Sequence, residues 1–113
     1  MRANIAQGTI EMDANEEYQL LVQRLADGHA GVAGQMFGKQ CIKVSGKAAV
    51  AMFQDCIVCK LPAPEHAKAM ALENSILWDP SGKGRAMKEW VQVELQHKSH
   101  FAGFAGVSAG YVS

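Results

Sequence analysis

The sequence predicts an α+β domain: an antiparallel β-sheet of about four to five strands flanked by N-terminal and C-terminal helices. Three observations predict it. Lys39 to Leu61 reads K-Q-C-I-K-V, S-G, K-A-A-V-A-M-F, Q-D, C-I-V-C-K-L, which is three β-rich runs separated by two tight polar pairs. Tyr18, Leu21, Val22 and Leu25 recur at i, i+3, i+4 and i+7 upstream, one apolar stripe of a helix. Downstream, the alternating segment Met87 to Leu95 is followed by Phe101, Phe104, Val107, Ser108 and Tyr111 at helical spacing.

In chain order, Met1 to Met12 shows no period and is expected to be a loosely docked arm of a single domain spanning 1–113. Asp13-Ala14-Asn15-Glu16 has capping-box spacing and predicts a helix from about Asn15 to Asp27, with Gly28 as its stop. His29 to Gly38 holds Gly31, Gly34 and Gly38, which argue against a regular element; Met36-Phe37 is expected to insert into the core from the tip of a connection. In the strand after it, Ile42 and Val44 share one face and Cys41 and Lys43 the other. Ser45-Gly46 and Gln54-Asp55 are turns, and the apolar run Lys47 to Phe53 is expected at the centre of the sheet.

Pro62-Ala63-Pro64-Glu65 opens a helix carried through His66 to Glu73, with Glu65 at its positive end. Ile76-Leu77-Trp78 is a short apolar run, strand or extended, Asp79 to Gly84 a loop, and Met87 to Leu95 a strand with Trp90 on one face and Val91, Val93 and Leu95 on the other. A C-terminal helix over Ser99 to Val112 must carry Gly103, Gly106 and Gly110, each costing about 1 kcal/mol relative to alanine. Their small size is expected to let the backbone approach a sheet or a partner closely.

Composition narrows the class. With 49% hydrophobic and 19% charged residues, the 113-residue chain can bury a core without metal or disulfide staples. Eleven basic and 11 acidic residues give zero net charge, without the basic excess of a dedicated nucleic-acid binder. No apolar run approaches the ~18–20 residues of a membrane span, and the N-terminus has no signal-like apolar core. Three cysteines, an odd number, suit free thiols and a cytoplasmic location.

Each motif that suggests chemistry also has a plainer account. Cys56-Ile-Val-Cys59 has metal or redox spacing, yet inside a strand that spacing sends the sulfurs to opposite faces. Cys41 has no evident partner. His97 and His100 lack a nearby carboxylate or thiol and read as exposed residues at a strand-to-helix junction. Lys60 reads as a solvated strand end. Ser45, Ser75, Ser81, Ser99 and Ser108 lack the context of a nucleophile, so neither a catalytic set nor a cofactor is expected. Ser81-Gly82-Lys83-Gly84-Arg85 has the composition of a phosphate-cradling loop without the Walker spacing, and a β-turn explains it as well. Lys83, Arg85 and Lys88 beside Trp90 are nevertheless the place where an anion or a nucleic-acid strand would bind, although Trp90 itself reads better as a core anchor with its indole N–H satisfied.

Three phrases occur in order: Met36-Phe37-Gly38, Cys56-Ile57-Val58-Cys59-Lys60-Leu61-Pro62, and Gly84-Arg85-Ala86-Met87-Lys88-Glu89-Trp90-Val91. Together they resemble the N-terminal domain of the TfoX/Sxy family in its compact stand-alone form, over roughly Glu16 to Val112. Ala86 stands where relatives usually have proline, and the tail is glycine-rich where theirs is rich in alanine and acids. The resemblance implies an antiparallel sheet flanked by helices. It implies a link to transcriptional control of competence only for longer members, which carry a second domain. Combined with the neutral charge, it leads to the expectation of a non-enzymatic regulatory or adaptor domain that contacts a protein partner or a second copy. Nucleic acid is the less favoured partner, and no membrane contact is expected.

Overall fold

The computed structural model describes residues 13–113, so the expectation for Met1 to Met12 lies outside the described residues. Helix α1, Ala14–His29, starts on the predicted capping box. Asp13 accepts from the Glu16 N–H at 2.9 Å, and the Glu16 carboxylate accepts from the Asp13 N–H at 3.0 Å. Tyr18, Leu21 and Leu25 are buried, with Val22 packed beside them. The helix end differs from the expectation: Gly28 remains helical, and the left-handed residue is Ala30, at φ 55°. Gly31 is the glycine that space demands. A Cβ there would lie 3.0 Å from Leu25 Cβ and 3.1 Å from Ile42 Cγ2, because the chain leaving the helix presses directly onto the sheet.

The segment expected to be a connection is a strand, β1, Val32–Met36, which brings the sheet to six strands. It forms an antiparallel hairpin with β2, Lys39–Val44, through Phe37-Gly38, whose φ values of 54° and 73° suit a type I′ turn. Phe37 does not insert into the core; it is 64% exposed at the hairpin tip. An edge strand tolerates Gly34 because only one neighbour must be matched, and the Lys43 stem covers the bare backbone there.

Strands β3, Lys47–Phe53, and β4, Cys56–Lys60, follow through the two predicted turns and occupy the centre of the sheet. Helix α2, Glu65–Met70, is shorter than predicted, since the chain turns through Asn74 at φ 67° to deliver β5, Ile76–Trp78. β6, Met87–Glu94, then inserts between β4 and β5, giving the order β1-β2-β3-β4-β6-β5 with every neighbour antiparallel. A 3₁₀ turn, Leu95–His100, leads into α3, Phe101–Val112.

Period-two alternation divides the apolar residues into two cores. Ile42, Val44, Ile57, Cys59, Val91 and Val93 face the helices and pack with Tyr18, Leu25, Ala69, Phe101 and Ala105. Cys41, Ala51, Val58, Trp78 and Trp90 face the opposite way, with Met36, Phe53 and Met87 packed around them. α3 buries Phe101, Phe104 and Ser108 of the predicted stripe and packs Val107 against the core, with Ala105, Ala109 and Val112 widening the buried face; Tyr111 departs from it at 43% exposed. Its glycines do not approach the sheet, because a Cβ built on Gly103, Gly106 or Gly110 meets nothing within 4 Å.

Candidate functional site

No helix among the described residues packs into the second core; the sheet itself encloses it. On a flat sheet β1 and β5 would be five strand spacings apart, roughly 24 Å. Yet the Phe37 ring, at the end of β1, lies 6.4 Å from the ring of Trp78 on β5. The sheet therefore curls until the β1–β2 hairpin tip meets the loop between β5 and β6. Trp78 is the hub, with ring centroids 5.9 Å from Phe53 and 5.3 Å from Trp90. It is fully buried, and its indole N–H has no acceptor among the described residues.

The loop that closes this end is shaped by Asp79. Its Oδ1 accepts from the N–H groups of Ser81 (3.2 Å) and Gly82 (3.0 Å) and from the Ser81 hydroxyl (2.7 Å). Its Oδ2 accepts from the N–H groups of Gly84 (2.7 Å) and Arg85 (3.1 Å). The Ser81 hydroxyl, followed by the backbone donors, holds the Asp79 carboxyl below its ordinary range. Gly82 and Gly84 both take positive φ, which lets successive N–H groups converge on the side chain. The loop thus has the anion cradle that its composition suggested, and its own carboxylate fills it.

Of the four residues singled out for anion binding, Arg85 borders a cavity of about 330 Å³ lined by Phe37, Pro80, Ser81, Arg85 and Met87, and Lys83, Lys88 and Trp90 do not line it. Lys83 is exposed on the loop and Lys88 on β6. Trp90 is 5% exposed, inside the second core. A register shift explains the divergence: Leu77 pairs with Val91 but Trp78 with Met87, so Met87 and Trp90 both serve the second core. The Lys88 carbonyl accepts from His66 Nε2 at 2.8 Å, which ties α2 to this irregularity. Phe37, Pro80 and Met87 were not foreseen at the site. The Met-Phe-Gly hairpin tip was visible in the sequence, but not its meeting with the β5–β6 loop.

The other candidate groups have structural surroundings. Cys59 lies in the helix-side core; burial pushes its thiol up to about 12, an effect only partly offset by the Ser108 hydroxyl. Cys56 shares the opposite face with Val58, and the Gln92 amide donates to its sulfur at 3.6 Å, so the C-x-x-C sulfurs diverge. Cys41 is buried in the second core. His97 Nε2 donates to the Glu73 carbonyl at 2.8 Å, and His100 stacks on Phe104 at 5.6 Å. Among the described residues no group of His, Cys, Asp and Glu is placed to hold a metal ion. No described helix is long and apolar enough to cross a membrane.

A polar link fastens the end of α3 to the sheet. The Tyr111 hydroxyl donates to Glu89 Oε2 at 2.8 Å, and Lys60 Nζ lies 3.5 Å from Oε1. The Tyr111 hydrogen bond, ahead of the Lys60 charge, holds the Glu89 carboxyl below its ordinary value. A folded value below the unfolded one stabilises above the unfolded pKa, and that contribution is lost as pH falls through the folded pKa. Tyr111→Phe is expected to raise the Glu89 pKa and flatten this part of the acid limb of stability. Carboxyl NMR titration, with urea midpoints from neutral pH down to about pH 3, reads both effects; an unmoved Glu89 titration would contradict the assignment.

No family model, curated protein or solved structure matches the chain, so the resemblance to the TfoX/Sxy family stands on the three phrases quoted above.

Proposed function

We propose that this domain is a non-enzymatic regulatory adaptor that acts through protein–protein contact, by accepting an extended segment of a partner chain along β1. Transcriptional or competence control is the setting that the resemblance implies for the longer, two-domain members of the family. One observation carries the proposal: among the described residues β1 pairs with β2 alone and leaves its other edge open. Val-Ala-Gly-Gln-Met contains neither charge nor proline, and Val32 is 65% exposed. Sheet edges are ordinarily blunted by charge, proline, brevity or a covering element, because their free N–H and C=O groups recruit another strand. The opposite edge is guarded, since β5 has three residues and Pro80 follows closely. Main-chain pairing would give such a contact its affinity and alternate side chains its selectivity.

The experiment compares wild type with Val32→Lys/Gln35→Lys, which charges two exposed edge positions without touching either core. Both are used as bait in nuclease-treated extract of the native cell, with thermal melts to establish equal stability. A protein captured by wild type and lost with the variant supports the proposal; equal capture by both removes it. If light scattering shows a dimer that the variant converts to monomer, a second copy is the partner.

A nucleic-acid or simple anion site on Lys83, Arg85, Lys88 and Trp90 has less support. The loop N–H groups are already engaged by Asp79, and the Trp90 ring is enclosed where base stacking needs an open face.

A further inference from the structure

We infer that the cavity between the β1–β2 hairpin tip and the β5–β6 loop binds a small monocarboxylate with an apolar body, with Arg85 as its anion contact. The walls are the Phe37 ring, Pro80 and Met87, and the volume of about 330 Å³ is at the small end of ligand pockets. The Arg85 guanidinium has no ion pair or hydrogen bond among the described residues. Asp79, whose carboxylate accepts from the Arg85 backbone N–H, already directs both oxygens at five donors of its own loop. An unpaired guanidinium beside apolar walls is complementary to a planar carboxylate, which its fork of donors matches in two parallel hydrogen bonds.

The same features limit the ligand. A phosphate site would draw on free loop N–H groups, and those are taken. A polyanion would need more than one cation at the rim, and Lys83 and Lys88 do not line the cavity. A bare small anion would leave the apolar walls in water, including a Phe37 ring that is already 64% exposed. The hydrocarbon part of the ligand covers that ring, and Met87 adapts to its shape. The site is distinct from the β1 edge, and either can fail without the other.

The test titrates the whole protein with 3-phenylpropionate, following tryptophan emission and backbone amide shifts. Trp78 touches Phe37, so the aromatic cluster reports occupancy. Saturable binding is expected, with shifts at Ser81, Arg85 and Met87. The neutral analogue 3-phenylpropionamide is expected to bind roughly tenfold or more weakly, the usual worth of a charged hydrogen bond. Arg85→Gln should weaken the acid to a similar degree and leave the amide unchanged, while acetate should not compete. Equal binding of acid and amide to wild type overturns the proposal without recourse to any variant. So does an absence of saturation up to the solubility limit, or an unchanged acid affinity in Arg85→Gln. A short peptide ending in phenylalanine with a free carboxylate that binds more tightly than the free acid would overturn the small-molecule assignment.

Discussion

Trp78→Ala is expected to cost about 3–5 kcal/mol, the range for removing a large buried aromatic side chain and leaving a cavity. That is a large fraction of the roughly 5–15 kcal/mol that holds a domain folded. Trp78 is fully buried and joins Phe37, Phe53 and Trp90 from three different strands or turns. It is also the one fully buried residue of β5, so its loss releases the edge strand along with the core. Trp78→Phe should be far milder. It keeps a ring for the edge-on contacts and removes an indole N–H that lacks an acceptor, a burial that itself costs about 1–3 kcal/mol. Urea unfolding decides the matter: the midpoint should drop sharply for alanine and slightly for phenylalanine, with the m-value unchanged. An alanine variant within about 1 kcal/mol of wild type would show that Trp78 is not the hub of the second core.

The second large effect has the opposite sign. Gly103→Ala, Gly106→Ala and Gly110→Ala combined should stabilise the protein by about 2 kcal/mol, since each glycine in a helix gives up about 0.4–1 kcal/mol relative to alanine. Added methyl groups would meet nothing within 4 Å at any of the three positions. The added methyl groups acquire no shared neighbours, so their effects should nearly add. A rise in melting temperature of the triple variant checks this. A fall, together with a dimer by light scattering in wild type, would instead place a second copy against the outer face of α3.

The sequence made the helix-side core legible because its signals are local. The capping box at Asp13 and Glu16, the Tyr18–Leu25 stripe and the alternation through Trp90 and Val91 each lie within one element. β1 is hidden in the sequence because Gly31, Gly34 and Gly38 carry the signature of breakers. Gly31 is there because Leu25 and Ile42 leave no room, and Gly34 sits at an edge where little is asked of it. The facing of α3 is legible at Phe101, Phe104 and Ser108, but its edges are not: the helix is apolar or small all round, so Tyr111 is as eligible for burial as Ala105 and Ala109. Arg85 stood out by charge. Phe37, Pro80 and Met87 join it only through the curl of the sheet and the shifted register between β5 and β6, and neither leaves a mark on any short window of sequence.

The bonds of Asp79 to its own loop bear on how fast and how selectively that end of the molecule can respond to a visitor. A loop that completes its own circuit of donors and acceptors holds its shape while empty. The backbone of Arg85 is thus held in place before anything arrives. Little backbone ordering entropy remains to be lost there, because a carboxylate of the loop's own keeps the rim preorganised.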